Sequence, residues 1–388
     1  MRSLKFLLLA SAIGVALTGC QTGSDIWRSQ FDVAGEALAD DTNIVVLISS
    51  EQAANSLLVN ASRRGYQLNR KWELSGLDLI MMDFERPQGV SGPVAISDMQ
   101  GMEPSATAGV DHLFTIQAQE DESLAATPRI YADELVGWPL EGCTSNLSIG
   151  IIDGDVRTDA PELSGASITE RDFSGGSPAA GDHATAIADL LVGPGKLKNT
   201  TLFAASVVSS ETPQTGAGAR ELILALDWML ESDVRLVNIS LAGPYNALLD
   251  KAVGRAVDRG MVVVAAAGND GPNAEPQYPA AFEDVIAVTA VDRALQVYSD
   301  AVQGEHIDFS APGVDVFVTS INDGQYLSGT SVAAPFVTAL IASDPFTRSS
   351  RRVSEIRRHI SESVVDIGPV GRDPIFGTGL PKRTWDCD

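Results

Sequence analysis

The sequence predicts an α/β protein in which a doubly wound, mostly parallel sheet follows a small α+β unit. Two patterns carry that prediction. From Ser148 onward, short apolar runs alternate with amphipathic stretches, as expected of strands buried on both faces and joined by crossover helices. Before that, residues 43–118 show strand and helix periods in the order βαββαβ. With 388 residues, 44% of them hydrophobic and 20% charged, the chain is long enough to bury a core in each.

At the amino terminus, Arg2 and Lys5 precede an apolar run, Phe6 to Leu17, that is too short to span a bilayer comfortably. Residues 1–19 therefore read as an export signal. The run closes on Leu17-Thr18-Gly19-Cys20, which resembles the bacterial lipobox, where the cysteine is lipidated and becomes the new terminus. A lipid anchor at Cys20 and a place in the cell envelope are the expectation. Residues 20–42 show no strong period and read as a tether.

Ile44 to Ile48 then form a strand, and Ser49 with Gln52 three residues on predicts a capping box for the next helix. Ala53, Leu57, Leu58 and Ala61 give that helix one apolar face, and Gly65 ends it. Strands follow around Tyr66 to Leu68 and through Leu77, Leu79 and Met81. A short helix over 94–102 and a strand at Leu113 to Ile116 complete the unit. Residues 119–140, opening Gln119-Glu120-Asp121-Glu122-Ser123, lose the periodicity and read as an exposed linker.

The larger unit, 141–388, has buried strands at Ser148–Asp153, Leu202–Val208, Arg235–Ile239, Met261–Ala266 and Val285–Val291. Leu222, Ala225, Leu226 and Met229 mark one helix between them. Leu248, Ala252, Val253, Ala256 and Val257 mark another, ended by Gly260.

Composition narrows the function. The net charge of −24 argues against a nucleic-acid partner. Four histidines and three cysteines leave no Cys-rich zinc module, and no His-Glu-x-x-His run is present. Gly193-Pro194-Gly195-Lys196 is no Walker loop, because Leu197 stands where Ser or Thr is needed and Leu190 where the first glycine belongs. No cofactor is expected. The many carboxylates would permit calcium, but no ligand loop is legible. In an exported protein Cys143 and Cys387 can persist as a disulfide that ties the two ends of the larger unit.

Ligands of parallel α/β sheets gather at the carboxyl ends of the strands. Polar residues there are Asp153 after Ile149-Gly150-Ile151-Ile152, Asn238 within Leu236 to Ser240, and Asn269 after Val262 to Gly268. Among the histidines, His183 opens a helical stretch, where Asp153 could orient its ring as a general base. Ser328-Gly329-Thr330-Ser331-Val332-Ala333-Ala334-Pro335 offers a hydroxyl at a helix start, whose free N–H groups face any developing negative charge. The order Asp153, His183, Ser331 is that of the subtilisin triad.

From Ser148 to about Leu380 the chain resembles the subtilisin-like serine proteases, the subtilases. Asp153-Gly154-Asp155-Val156 with Pro161-Glu162-Leu163 looks like the aspartate segment, His183-Ala184-Thr185 the histidine segment, and Gly329 to Pro335 the serine segment. The resemblance implies a subtilisin-like fold and an exported serine endopeptidase. Ser240, Leu241, Ala242 and Gly243 would form one substrate wall, Ala266, Ala267 and Gly268 the other, with Asn269 as oxyanion donor. It also implies that Gln277 lies at the base of the pocket for the residue before the cut, making it shallow and suited to small or polar side chains.

By the same resemblance, the ferredoxin-like unit at 43–118 is an inhibitory, folding-assisting prodomain, removed by self-cleavage between about Gln117 and Arg129. Two departures, Asp155 and Ala184, keep open the alternative of a catalytically silent, peptide-binding lipoprotein of the same fold. Asp155 puts a second carboxylate in the aspartate segment, where it could change the proton affinity of His183 or bind a cation.

Overall fold

A computed structural model describes residues 38–121, 130–176, 178, 181–210, 216–321 and 324–387. The export signal at 1–19 and the lipidation expected at Cys20 lie outside the described residues. Among those residues no helix is long and apolar enough to cross a membrane.

The small unit has the expected order: strand β1 (Leu38–Ile48), helix α1 (Glu51–Arg63), β2 (Gln67–Leu74), β3 (Leu79–Glu85), α2 (Gly92–Met102) and β4 (Thr107–Ile116). β1 starts before Asn43, so residues 38–42 of the expected tether belong to a strand. The helix cap is Ser50 and not Ser49, its hydroxyl accepting the Ala53 N–H at 3.4 Å. Gly65 ends α1 at φ +89°, a conformation that side-chain-bearing residues avoid. Ile44, Val46, Leu57, Tyr66, Phe84 and Met99 fill the core between this antiparallel sheet and its two helices.

The linker expectation is corrected at both ends of 119–140. Gln119–Asp121 is strand β5, and Ile130–Val136 is helix α3, with Ala132 and Val136 fully buried. Gln119, Glu120 and Asp121 include no apolar residue to mark the strand, which pairs through the main chain.

The large sheet consists of β6 (Ser148–Asp153), β7 (Ser167–Asp172), β8 (Thr201–Ser206), β10 (Leu236–Ile239), β12 (Val262–Ala266), β13 (Val285–Val291) and β14 (Phe309–Pro312). Its seven strands run parallel in the order β14-β13-β12-β10-β6-β8-β7. Three more short strands complete the connections, β9 (Gly216–Gly218), β11 (Leu241–Ala242) and β15 (Val316–Val318), and β16 (Gln325–Ser328) follows. Alternation along a strand sends side chains to opposite faces: Val262 and Val264 join one core, Val263 and Ala265 the other. Helices α4 (Asp182–Val192) and α7 (Thr330–Ser343) cover the first face, α5 (Ala219–Glu231) and α6 (Ala247–Asp258) the second. Helix α8 (Val353–Ser361) follows.

Cys143 and Cys387 are joined across 244 residues of sequence. In the chain-entropy model, closing so long a loop stabilises by about 5 kcal/mol. Cys143→Ala in a Ser331→Ala background is expected to lower the denaturant midpoint accordingly; an unchanged midpoint would show that the ends are held by packing alone.

The small unit docks through β4, which pairs antiparallel with β9 and β11 of the larger unit. Beside this ladder, three carboxylates surround one guanidinium. Arg220 lies 2.9 Å from Glu221, 3.3 Å from Asp83 and 3.9 Å from Asp111, and its N–H donates to Asp111 at 3.1 Å. Burial lifts Asp83 to about 6, and burial with the neighbouring Glu221 charge lifts Asp111 from 3.8 to about 7.

The folded state therefore binds the Asp111 proton more tightly than the unfolded chain does. Stability from this site is greatest in acid and is lost as pH rises from about 4 to about 7. The Ser331→Ala chain should lose melting temperature relative to its Asp111→Asn derivative between pH 4.5 and 8. A constant difference across that range would contradict it.

Candidate active site

Each candidate side chain sits where a strand ends or a helix begins. Asp153 is the last residue of β6 at the centre of the sheet, and His183 lies in the first turn of α4. Asn269 follows β12, and Ser331 lies in the first turn of the wholly buried helix α7. The sheet brings the three distant segments together. His183 Nδ1 is 2.9 Å from Asp153 Oδ1, and His183 Nε2 is 3.0 Å from Ser331 Oγ. Asp153 is 1% exposed and also accepts the Gly154 N–H at 2.7 Å, so its carboxylate is fixed in position.

A carbonyl oxygen of the same chain occupies the point where these groups converge. Gln117 O accepts Asn269 Nδ2–H at 2.7 Å and the main-chain N–H of Ser331 at 3.2 Å, with the Ser331 hydroxyl against it. Asn269 is aimed by Thr330, whose N–H and hydroxyl donate to its Oδ1 at 3.1 and 2.9 Å. Gly329 makes room, since a Cβ there would lie 2.3 Å from Gln117 O.

The segment around Gln117 lies extended along the cleft. Upstream, Ile116 pairs with Leu241 and Thr115 with Ala242, while the Gln117 N–H reaches Ser240 O at 3.3 Å. Downstream, Gln119 to Asp121 pair with β16, Gln119 opposite Ser328. Phe114 is fully buried and abuts Gly243, where a Cβ would come 2.7 Å from its ring. Ser240, Leu241 and Ala242 thus flank this segment by main-chain pairing. Ala266 and Ala267 are buried behind the opposite side, and Gly268 N–H donates to Thr330 Oγ1 at 3.1 Å.

A profile of the subtilase family matches residues 144–379. The chain belongs to the subtilase family, the subtilisin-like serine proteases. It is 34% identical over 264 residues to subtilisin DY of Bacillus licheniformis, a match covering 62% of this chain and 91% of that one. To the minor extracellular protease Epr of Bacillus subtilis it is 36% identical over 172 residues, 43% of this chain and 26% of that protein. In fold, this subtilase resembles fervidolysin from Fervidobacterium pennivorans, a keratinolytic enzyme related to subtilisin. The TM-score is 0.74 at 18% identity, over 90% of this chain and 61% of the other. That share is too large for the parallel-sheet layer alone, so the fold likeness takes in the small unit.

The two departures lie quietly in this subtilase. Asp155 hydrogen-bonds Glu170 on the edge strand β7, and burial together with the Asp155 charge raises Glu170 above the usual carboxylate range. Ala184 is buried, and even a Cβ added at Gly154 would stand 3.9 Å from its methyl. Among the described residues no three His, Cys, Asp or Glu side chains converge to hold a metal ion.

Asn238 proves structural, donating to Ser240 Oγ at 2.9 Å and accepting from Thr338 at 3.1 Å. His112 meets Asn246 and His359 meets Asp344, so the partners of both differ from those of His183. Sequence reasoning missed Thr330, although it stands inside the serine segment. It also missed the docking carboxylates, for which no local signal exists.

Proposed function

We propose that this chain is an exported serine endopeptidase that first cuts its own Gln117–Ala118 bond. The observation that carries the reading is the Gln117 carbonyl oxygen, held by Asn269 and the Ser331 N–H while Ser331 Oγ stands within hydrogen-bond reach of His183. Ser331 Oγ bonds to the Gln117 carbonyl carbon as His183 Nε2 takes its proton. Asp153 holds the other ring nitrogen and balances the imidazolium charge. Negative charge collects on the carbonyl oxygen, where a side-chain donor such as Asn269 contributes about 3–4 kcal/mol in subtilisin itself. The C–N bond then breaks, His183 passes its proton to the Ala118 nitrogen, and water hydrolyses the acyl-enzyme by the same relay.

The small unit is then an intramolecular inhibitor, and other proteins or peptides take its place in the cleft after it leaves. If Cys20 carries lipid, the anchor lies on the small unit's side of the bond. The cut would therefore leave the catalytic unit attached to the membrane only through non-covalent contacts with the small unit, the β4 ladder and the Arg220 ion pairs among them.

A fluorophosphonate probe tests the reading. It is expected to label the processed enzyme at Ser331 and not the Ser331→Ala chain. A processed protein that neither labels nor cleaves peptides would be the silent peptide-binding form.

A further inference from the structure

The residue on the acyl side of the bond is gripped by its side chain as well as its carbonyl. Gln117 is buried; its Oε1 accepts the main-chain N–H of Asn269 at 2.8 Å, and its Nε2 donates to Thr115 O and Oγ1, both at 3.1 Å. One residue before Asn269, Gly268 has φ +107°, and a Cβ there would lie 1.7 Å from Gln277 Oε1. Gln277 thus packs its amide against the same wall that holds the Gln117 amide. It is 8% exposed, and its Nε2 donates to the Asp270 carboxylate. Its Oε1 is buried and has no hydrogen-bond partner among the described residues. Alongside lies a cavity of about 290 Å³ whose lining includes Thr115, Ala242, Asp270, Glu275 and Gln277.

We infer that this cleft selects glutamine immediately before the scissile bond, with Gln277 as the specificity-determining residue. The inference rests on the reading that 113–121 lies in the cleft as a substrate does. A primary amide offers one acceptor and two donors. The Asn269 N–H takes the acceptor; a donor is what Gln277 Oε1 lacks, and in the chain's own strand that nitrogen is lent to Thr115. Glutamate keeps the acceptor but has no N–H for Gln277 Oε1 or for the Thr115 oxygens that take Gln117 Nε2, with Asp270 and Glu275 adding charge of the same sign. Lysine has no acceptor for the Asn269 N–H. Phenylalanine has neither group, and Gln277, packed against Gly268, adds bulk to the wall its ring would meet. An unmatched buried polar group penalises each of them in the transition state.

The test uses processed enzyme and reporter peptides Leu-Phe-Thr-Ile-X-Ala, with X as Gln, Glu, Lys or Phe. The expected kcat/KM for Gln exceeds each of the others by about 10-fold or more. In Gln277→Gly, Phe should overtake Gln. In Gln277→Met, which keeps the bulk and removes the acceptor, the advantage of Gln over Glu should shrink to about threefold or less. Phe, Lys or Glu cleaved fastest by the parent enzyme would overturn the inference, as would an unchanged ranking in both variants. Fluorophosphonate labelling keeps the two readings apart: a labelled enzyme with the wrong ranking fails here alone, whereas an unlabelled one fails as a hydrolase.

Discussion

Ser331→Ala is expected to abolish peptide hydrolysis, by about 10⁶-fold in kcat, the loss that removing the nucleophile causes in subtilisin itself. It should also leave the chain uncut at Gln117. The substitution deletes one buried oxygen and keeps the Ser331 main-chain N–H, so Gln117 O retains both of its N–H donors. The strand pairs at 115–116 and 119–121 do not involve the hydroxyl either. The variant should therefore fold with its cleft occupied. Mass spectrometry checks both halves of the prediction: the parent gives a fragment beginning at Ala118, and the variant gives an intact junction. If the variant is cut between Gln117 and Ala118 at the parent's rate, another protease performs the step and the cleft geometry is inhibitory only.

Asp153, His183, Asn269 and Ser331 were legible because each lies in a short block whose neighbours are constrained as well: apolar strand before, small residues or a helix start after. Strands buried on both faces were legible for the same reason, and Ser148–Asp153 and Val285–Val291 have the expected bounds. β7 was not, since Ser167–Asp172 lies at the sheet edge and, but for the half-buried Ile168, its side chains are exposed and polar, leaving no alternating apolar signal. β5 escaped for a related reason, its pairing being made by the main chain. Gln117 is the clearest case. Nothing in Ile116-Gln117-Ala118 marks a special carbonyl; strand register puts the Gln117 oxygen beside Asn269.

Register explains why the next substitution should act on chemistry more than on binding. Asp153→Asn is expected to lower kcat by about 10⁴-fold while KM changes little. The carboxylate accepts from His183 Nδ1–H, which places the ring's lone pair at Nε2, 3.0 Å from Ser331 Oγ. One oxygen, Oδ1, takes both the ring and the Gly154 N–H, so an Asn side chain that turns its amide nitrogen to this point gives up the Gly154 bond and donates to His183 Nδ1. The imidazole must then accept at Nδ1, its proton moves to Nε2, and it confronts the serine hydroxyl as a donor unable to take its proton. The isosteric change leaves the buried end of β6 intact, and Leu241 and Ala242, which pair with Ile116 and Thr115, are untouched by it. Steady-state kinetics on the Gln peptide, with the variant processed in trans by the parent enzyme and freed of the small unit, measures the split. A rise in KM with kcat preserved would mean that Asp153 shapes the cleft and does not orient the ring.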